Sequence, residues 1–179
     1  VDAVPDTCAR YTEGRTAAVL ADRRTRAVAG ADVADALEKA GFDVSSVLAP
    51  DPGDGLLPVC DDATRTALED TVPAADILVG VGSGVISDLT KWVAGDRGLP
   101  YVMLATAASM NGYASANVAP AIDGVKTLVR ADGPRAVLTA LPILADAPGA
   151  MTEAGLGDVI AKPASSADWR LNHLLFGEY

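Results

Sequence analysis

The run Ile77-Leu-Val-Gly80-Val-Gly82-Ser-Gly84 sets three glycines at the end of an apolar stretch. A turn of this kind closes a buried strand and opens a helix. It offers unpaired backbone N–H groups and the positive end of a helix dipole, which suits a pyrophosphate. Glycine at 82 and 84 removes the Cβ atoms that would hold a phosphate away. As a dinucleotide fingerprint the run is incomplete. Val85 stands where G-x-G-x-x-G has its third glycine, and the acidic ribose reader about twenty residues on is absent. Alone, the turn also fits a ligand-free strand-to-helix corner. Asp88 and Lys91 follow in the first turns of the helix. Asp88 is stabilised there by the dipole without a ligand, and Lys91, three residues on, suits a surface pair with it.

A second polar cluster, Thr106-Ala-Ala-Ser109-Met-Asn111-Gly-Tyr-Ala-Ser115, carries short hydroxyls suited to phosphate, ribose or amide groups. Cys8 and Cys60 follow no metal spacing and have no base nearby, so a reducing compartment and no nucleophilic role are expected. His173 is the only histidine. With Asp158 it falls short of a catalytic metal site, which needs about three protein ligands and an open position; a structural or surface role is expected. Lys126 reads as a solvated strand-end lysine, and Trp92 and Trp169 as packing residues on helices.

Taken together, Gly82-Ser-Gly-Val-Ile-Ser-Asp88-Leu-Thr-Lys91, the Thr106–Ser115 run and Ala154-Gly-Leu-Gly-Asp158-Val-Ile-Ala-Lys162 resemble the sn-glycerol-1-phosphate dehydrogenase family. That family lies within the group of dehydroquinate synthases, glycerol dehydrogenases and iron-containing alcohol dehydrogenases. The similarity is collinear from Val19 to Tyr179 and includes Ala167-Asp-Trp-Arg-Leu-Asn-His-Leu-Leu-Phe-Gly-Glu178. The Ser-Met-(Asp/Asn)-Gly-Tyr-Ala-Ser run is its specific part.

The resemblance implies an NAD- or NADP-dependent, metal-dependent oxidoreductase that interconverts dihydroxyacetone phosphate and sn-glycerol 1-phosphate. Gly84, Val85, Ile86, Ser87 and Asp88 would hold the cofactor, with Thr106, Ser109 and Ser115 lining its site. Asn111 takes a position where the family has a substrate-contacting aspartate. Asp158 would be the catalytic carboxylate, ligating a divalent metal and facing the substrate. Zinc is the first expectation for that metal; iron and nickel also suit Asp and His ligands. Two departures stand out. Asn111 loses the charge of aspartate, and Ala140 replaces an aspartate common in the family. The two metal-binding histidines of the family would lie beyond Tyr179. The alternatives are a relative acting on another polyol, alcohol or sugar phosphate, and a non-catalytic nucleotide-binding remnant.

The elements that must position these residues follow from periodicity. Thr16–Ala21, Val44–Leu48, Asp76–Val81 and Tyr101–Ala105 read as strands. A helix is expected over Asp32–Ala40, another from Asp61 or Asp62 to Thr71, and a third after the glycine turn with Val85, Leu89, Trp92 and Val93 buried. Ala49–Pro58 reads as a loop. Ala121–Val129 and Ala136–Leu141 read as strands around a turn at Asp132-Gly133-Pro134, with helices beginning after Ala147-Pro148-Gly149. Ala164, Ala167, Leu171, Leu174 and Leu175 form a helical stripe. The βαβ rhythm predicts an α/β fold, a Rossmann-like doubly wound, mostly parallel sheet. Residues 1–148 are expected to form the nucleotide-binding domain and 149–179 the start of a helical unit, which the resemblance implies is metal-binding.

Composition bounds the function. Half of the 179 residues are hydrophobic and the net charge is −10. The charge disfavours nucleic acid as a partner but leaves a small phosphorylated substrate open, since a local nest of N–H groups can override the global field. No apolar run approaches the roughly eighteen residues a membrane helix needs, so membrane insertion is not expected. No leader pattern is visible, and a cytoplasmic location is expected. A homo-oligomer is compatible with all of this.

Overall fold

The computed structural model describes residues 1–53 and 56–178. The expected loop Ala49–Pro58 therefore includes two residues, Asp54 and Gly55, outside the described residues. In chain order the elements are α1 (Ala3–Ala9), β1 (Thr16–Ala21), α2 (Arg23–Thr25), a π-helical turn (Arg26–Gly30), α3 (Ala31–Lys39), β2 (Asp43–Leu48), α4 (Asp62–Thr71), β3 (Ile77–Gly82), α5 (Gly84–Arg97) and β4 (Tyr101–Ala105). After β4 come a 3-10 turn (Gly112–Ala114) and the short strands β5 (Asn117–Val118), β6 (Ala121–Ile122), β7 (Val125–Lys126) and β8 (Val129–Arg130). The chain continues with β9 (Ala136–Thr139), α6 (Leu141–Asp146), α7 (Gly149–Ile160) and α8 (Lys162–Phe176).

Five strands form one sheet in the order β2-β1-β3-β4-β9, and every pairing in it is parallel. Val79 lies in register with Val19 on one side and Val102 on the other. Alternate residues of the same strands feed two cores. Ala18, Leu20, Leu78 and Met103 pack with Leu68 of α4 and with Leu89, Trp92 and Val93 of α5. Ala17, Val19, Ile77, Val79 and Val102 pack with Val4 and Cys8 of α1 and Val33 and Leu37 of α3. Helices on both faces explain why the central strands are apolar throughout and do not alternate. Each fully buried Leu or Val contributes about 1.5–3 kcal/mol relative to exposure.

The sequence-based expectations need four changes. Ala121–Val129 is not one strand: Asp123 and Gly124 adopt positive φ (50° and 75°) and fold it into the β6–β7 hairpin. β9 ends at Thr139, and Leu141 opens α6, because Pro142 fits the first helical turn, where an N–H would have no partner. Helix therefore begins before Ala147. The short helix α1 was unforeseen. Val85 is 37% exposed, because it lines an open cavity at the start of α5, whereas Leu89, Trp92 and Val93 are buried as expected. Among the described residues no helix is long and apolar enough to cross a membrane.

Candidate functional site

The chain order reverses between β1 and β3: β2 lies on one side of β1, and β3 and β4 on the other. Crevices at the carboxyl ends of strands at such a switch point are where open α/β sheets bind ligands. A cavity of 440 Å³ occupies this place. Asp22 and Thr25 reach it from β1, Ser83, Val85 and Ile86 from β3, and Thr106 and Ala107 from β4. Val28, Leu57, Pro58 and Met151 complete mainly apolar walls.

The glycine turn divides its labour. A Cβ on Gly80 would come within 2.5 Å of Thr90 Oγ1 and 2.8 Å of Met103 Sδ, and one on Gly82 within 2.6 Å of Ile86 Cβ. Both positions are required by strand-to-helix packing. This corrects the expectation that Gly82 makes room for a phosphate. Gly84 differs, for its nearest neighbour is Met110 Sδ at 3.4 Å, and it leaves the helix start open. No side chain caps the N-terminus of α5. Helix starts leave their first N–H groups without intrahelical partners, so this end suits an anion. Ser87 is fully buried, and its Oγ has no partner among the described residues.

Asp88 and Lys91 do not form the expected surface pair. Lys91 is fully buried, because the Thr106–Val118 segment folds over α5. Its Nζ donates to Asn117 O at 3.0 Å, Ser115 Oγ at 3.2 Å and Gly112 O at 3.3 Å, and stands 3.6 Å from Asp88 Oδ1. Burial pushes the Lys91 ammonium below its ordinary value, opposed by Asp88. Burial pushes the Asp88 carboxyl up, opposed by Lys91.

Thr106 is buried at the end of β4, its N–H donating to Gly82 O at 3.0 Å. Ser109 hydrogen-bonds the Tyr113 side chain, whose hydroxyl donates to Ala107 O at 2.7 Å. Ser115 faces Lys91 and donates to Asn117 O at 3.1 Å, so it stands with the loop's internal bonding and not on the cavity wall. Asn111 meets α7: its backbone N–H donates to Asp158 Oδ2 at 2.7 Å. Lys162 Nζ lies 3.6 Å from Asp158 Oδ1. The contact is close because α7 presents a glycine there; a Cβ on Gly155 would fall 1.9 Å from Ala108 O. The structure thus brings Val85 and Ile86 together with Thr106 at the cavity, and Asn111 together with Asp158.

Two residues escaped the reading of the sequence. Asp22, directly after β1, places a carboxylate on the crevice wall. Its Oδ1 caps α2, accepting from Arg24 N at 2.8 Å and Thr25 N at 2.7 Å. The available signal was an acid immediately after an apolar strand. Lys91 gave no such signal, since burial of a helical lysine is set by a distant loop.

The helix start, its cavity and the open Gly84 fit a dinucleotide. The metal is another matter: among the described residues no group of three or more His, Cys, Asp or Glu could hold an ion. His173 is exposed on α8, and Trp169, expected to pack, is 68% exposed there. α8 has no buried residue.

Residues 1–148 match the family model for iron-containing alcohol dehydrogenase. The chain is similar to a glycerol-1-phosphate dehydrogenase (NAD(P)+) of Bacillus velezensis, 33% identical over 160 residues, covering 89% of this chain and 41% of that protein. It is 36% identical over 156 residues to the Pyrococcus furiosus protein of the same name, covering 87% of this chain and 43% of the relative. It thus spans about two fifths of the length of these curated relatives. Among solved structures it resembles a probable glycerol dehydrogenase from Sinorhizobium meliloti, with TM-score 0.67, 28% identity, and coverage of 89% of this chain and 42% of the other. It shares the fold of Schizosaccharomyces pombe glycerol dehydrogenase, with TM-score 0.75, 20% identity, and coverage of 89% and 40%. With the family match spanning the whole sheet, the chain belongs to the iron-containing alcohol dehydrogenase family.

Proposed function

We propose that this chain is the nucleotide-binding part of an NAD(P)-dependent dehydrogenase that interconverts dihydroxyacetone phosphate and sn-glycerol 1-phosphate. The observation that carries the reading is the uncapped start of α5 at the switch-point cavity, with the substrate-type loop at Asn111 tied to Asp158 alongside. When bound, the nicotinamide cofactor donates or accepts the hydride. The chain's own residues handle placement. Backbone N–H groups of Gly84, Val85 and Ile86 grip the pyrophosphate, with Ser87 and Asp88 behind them. Thr106 and Ser109 orient the cofactor from β4 and its loop, and Ser115 supports that loop. The mainly apolar walls exclude water from part of the site, and fixed placement removes much of the entropic cost of bringing two reactants together.

Asn111 contacts the substrate, and Asp158 serves as the catalytic carboxylate and one ligand of a divalent metal, zinc before iron or nickel. The described residues do not complete that centre, which needs about three protein ligands. Residues 149–179 are read as the start of a helical, metal-binding unit that carries Asp158, and α8 within it has no buried residue. The enzyme works on a small phosphorylated molecule in the cytoplasm.

Calorimetry of the chain with NADH and with NADPH tests the cofactor reading: binding tighter than about 1 mM, or −4.1 kcal/mol, is expected. No heat with either cofactor at millimolar concentration overturns it. Asn111 favours one second reading, a different polyol, alcohol or sugar phosphate as substrate. Turnover of another carbonyl by the full-length protein, with none of dihydroxyacetone phosphate, would select that reading.

A further inference from the structure

Lys91 is a wholly buried cation, and taking an ammonium out of water is costly unless its protons are all satisfied. An ammonium has three protons. All three find oxygens of one segment, Gly112 O, Ser115 Oγ and Asn117 O, at 3.0–3.3 Å. Asp88, one turn earlier on α5, stands at 3.6 Å and balances the charge. The segment has other anchors, since the Tyr113 hydroxyl donates to Ala107 O, its ring packs against the core, and Asn117 pairs with Arg130 of β8, but Lys91 gathers three of its oxygens onto α5. Ser115 N bonds back to Gly112 O within the 3-10 turn, and Ala131 N reaches Ala116 O. An apolar side chain of the same length would fill the space without the cost of burying charge. What the charge adds is the gathering of oxygens from three positions of the loop onto the helix that begins at the glycine turn.

We propose that Lys91 is a positioning residue: it pins Gly112–Asn117 to α5 and thereby sets the arrangement in which Ser109 and Asn111 meet cofactor and substrate. The first half stands on the contacts alone; the second rests on the cofactor reading above. Lys91 touches neither cofactor nor substrate in this assignment and acts only through the loop.

The test is Lys91→Met in the full chain, read by amide hydrogen exchange without ligand and by NADH titration. Methionine keeps the length and removes the charge. Exchange at Gly112–Asn117 is expected to accelerate about tenfold or more, while amides of β3 and β4 keep their protection. NADH affinity is expected to fall about tenfold in parallel. The double variant Asp88→Asn with Lys91→Met avoids leaving a buried carboxylate unpaired and serves where the single variant does not fold; the same local loosening is expected. Unchanged exchange at Gly112–Asn117, or acceleration shared equally by β3 and β4, overturns the proposal, because it reduces Lys91 to ordinary packing. Local loosening with unaltered NADH affinity overturns the second half. A wild-type chain that does not bind NADH defeats the cofactor reading, and the exchange comparison still decides the role of Lys91.

Discussion

Asp76 ties the beginnings of two neighbouring strands. Its Oδ2 accepts from Thr16 N at 2.9 Å and Thr16 Oγ1 at 2.5 Å, and its own N–H donates to Thr16 O at 3.0 Å. Gly14 leaves room for the carboxylate, where a Cβ would sit 2.0 Å from Asp76 Cγ. The hydrogen bonds from Thr16 hold the Asp76 carboxyl below its ordinary 3.8. A lowered carboxyl stabilises the fold above its unfolded value and loses that contribution as pH falls through the folded one. Asp76→Asn is therefore expected to lower the unfolding free energy at neutral pH. It should also flatten the decline of stability below about pH 4; urea melts at several pH values would show both. An unchanged acid slope would refute this role. At this scale the sequence was legible only in part. Glycine, short hydroxyls and carboxylates announce themselves by type, and Val85, Ile86 and Thr106 line the crevice. Lys91 and Asp88 have the same i, i+3 spacing whether they sit on a surface or in a core. Only the loop that folds over them decides.

At the scale of elements, Gly80 and Gly84 belong to one motif but serve different needs. Gly80→Ala drives a Cβ into Thr90 and Met103, and such overpacking costs about 1–3 kcal/mol. Cofactor affinity should survive wherever the chain still folds. Gly84→Ala meets only the flexible Met110 sulfur, so stability should hold while NADH affinity falls. Denaturant melts and titrations of both variants check the pair, and the reverse pattern would contradict this division. The strands β1 to β4 were readable because a parallel strand covered on both faces must be apolar throughout. The β6–β7 hairpin and α6 were not. Runs of two paired residues have no periodicity to detect, and an apolar run of six residues such as Ala136–Leu141 fits a strand or a helix start equally well.

For the molecule as a whole, packing of helices on both faces shelters the two thiols. Cys8 and Cys60 are 0% and 8% exposed. Burial pushes Cys8 up to about 11 and Cys60 up to about 12, from 9.0. Because the thiolate is the reactive form, Cys8 in the native chain should alkylate at pH 8 roughly a hundredfold more slowly than an unfolded thiol, from two pKa units alone. Pulse labelling with iodoacetamide across a denaturant series would show labelling that tracks unfolding. Rapid labelling of Cys8 in the native chain would show that α1 opens independently of the sheet. The sheet's class was readable from the alternation of strand and helix. The crevice was not: it exists because β1 and β3 are neighbours, which places Asp22 beside Ser83 although some sixty residues separate them along the chain.

The contact between Gly155 and Ala108 carries a mechanical consequence. Gly155 is the only buried residue of α7, and one turn on, Asp158 takes the N–H of Asn111. The helix has almost no independent seat on the sheet. Its orientation is inherited from the loop, so the two behave as a single lever with its fulcrum at the end of β4. Anything that stiffens the loop steadies the carboxylate of Asp158, and anything that swings α7 drags the Asn111 backbone with it.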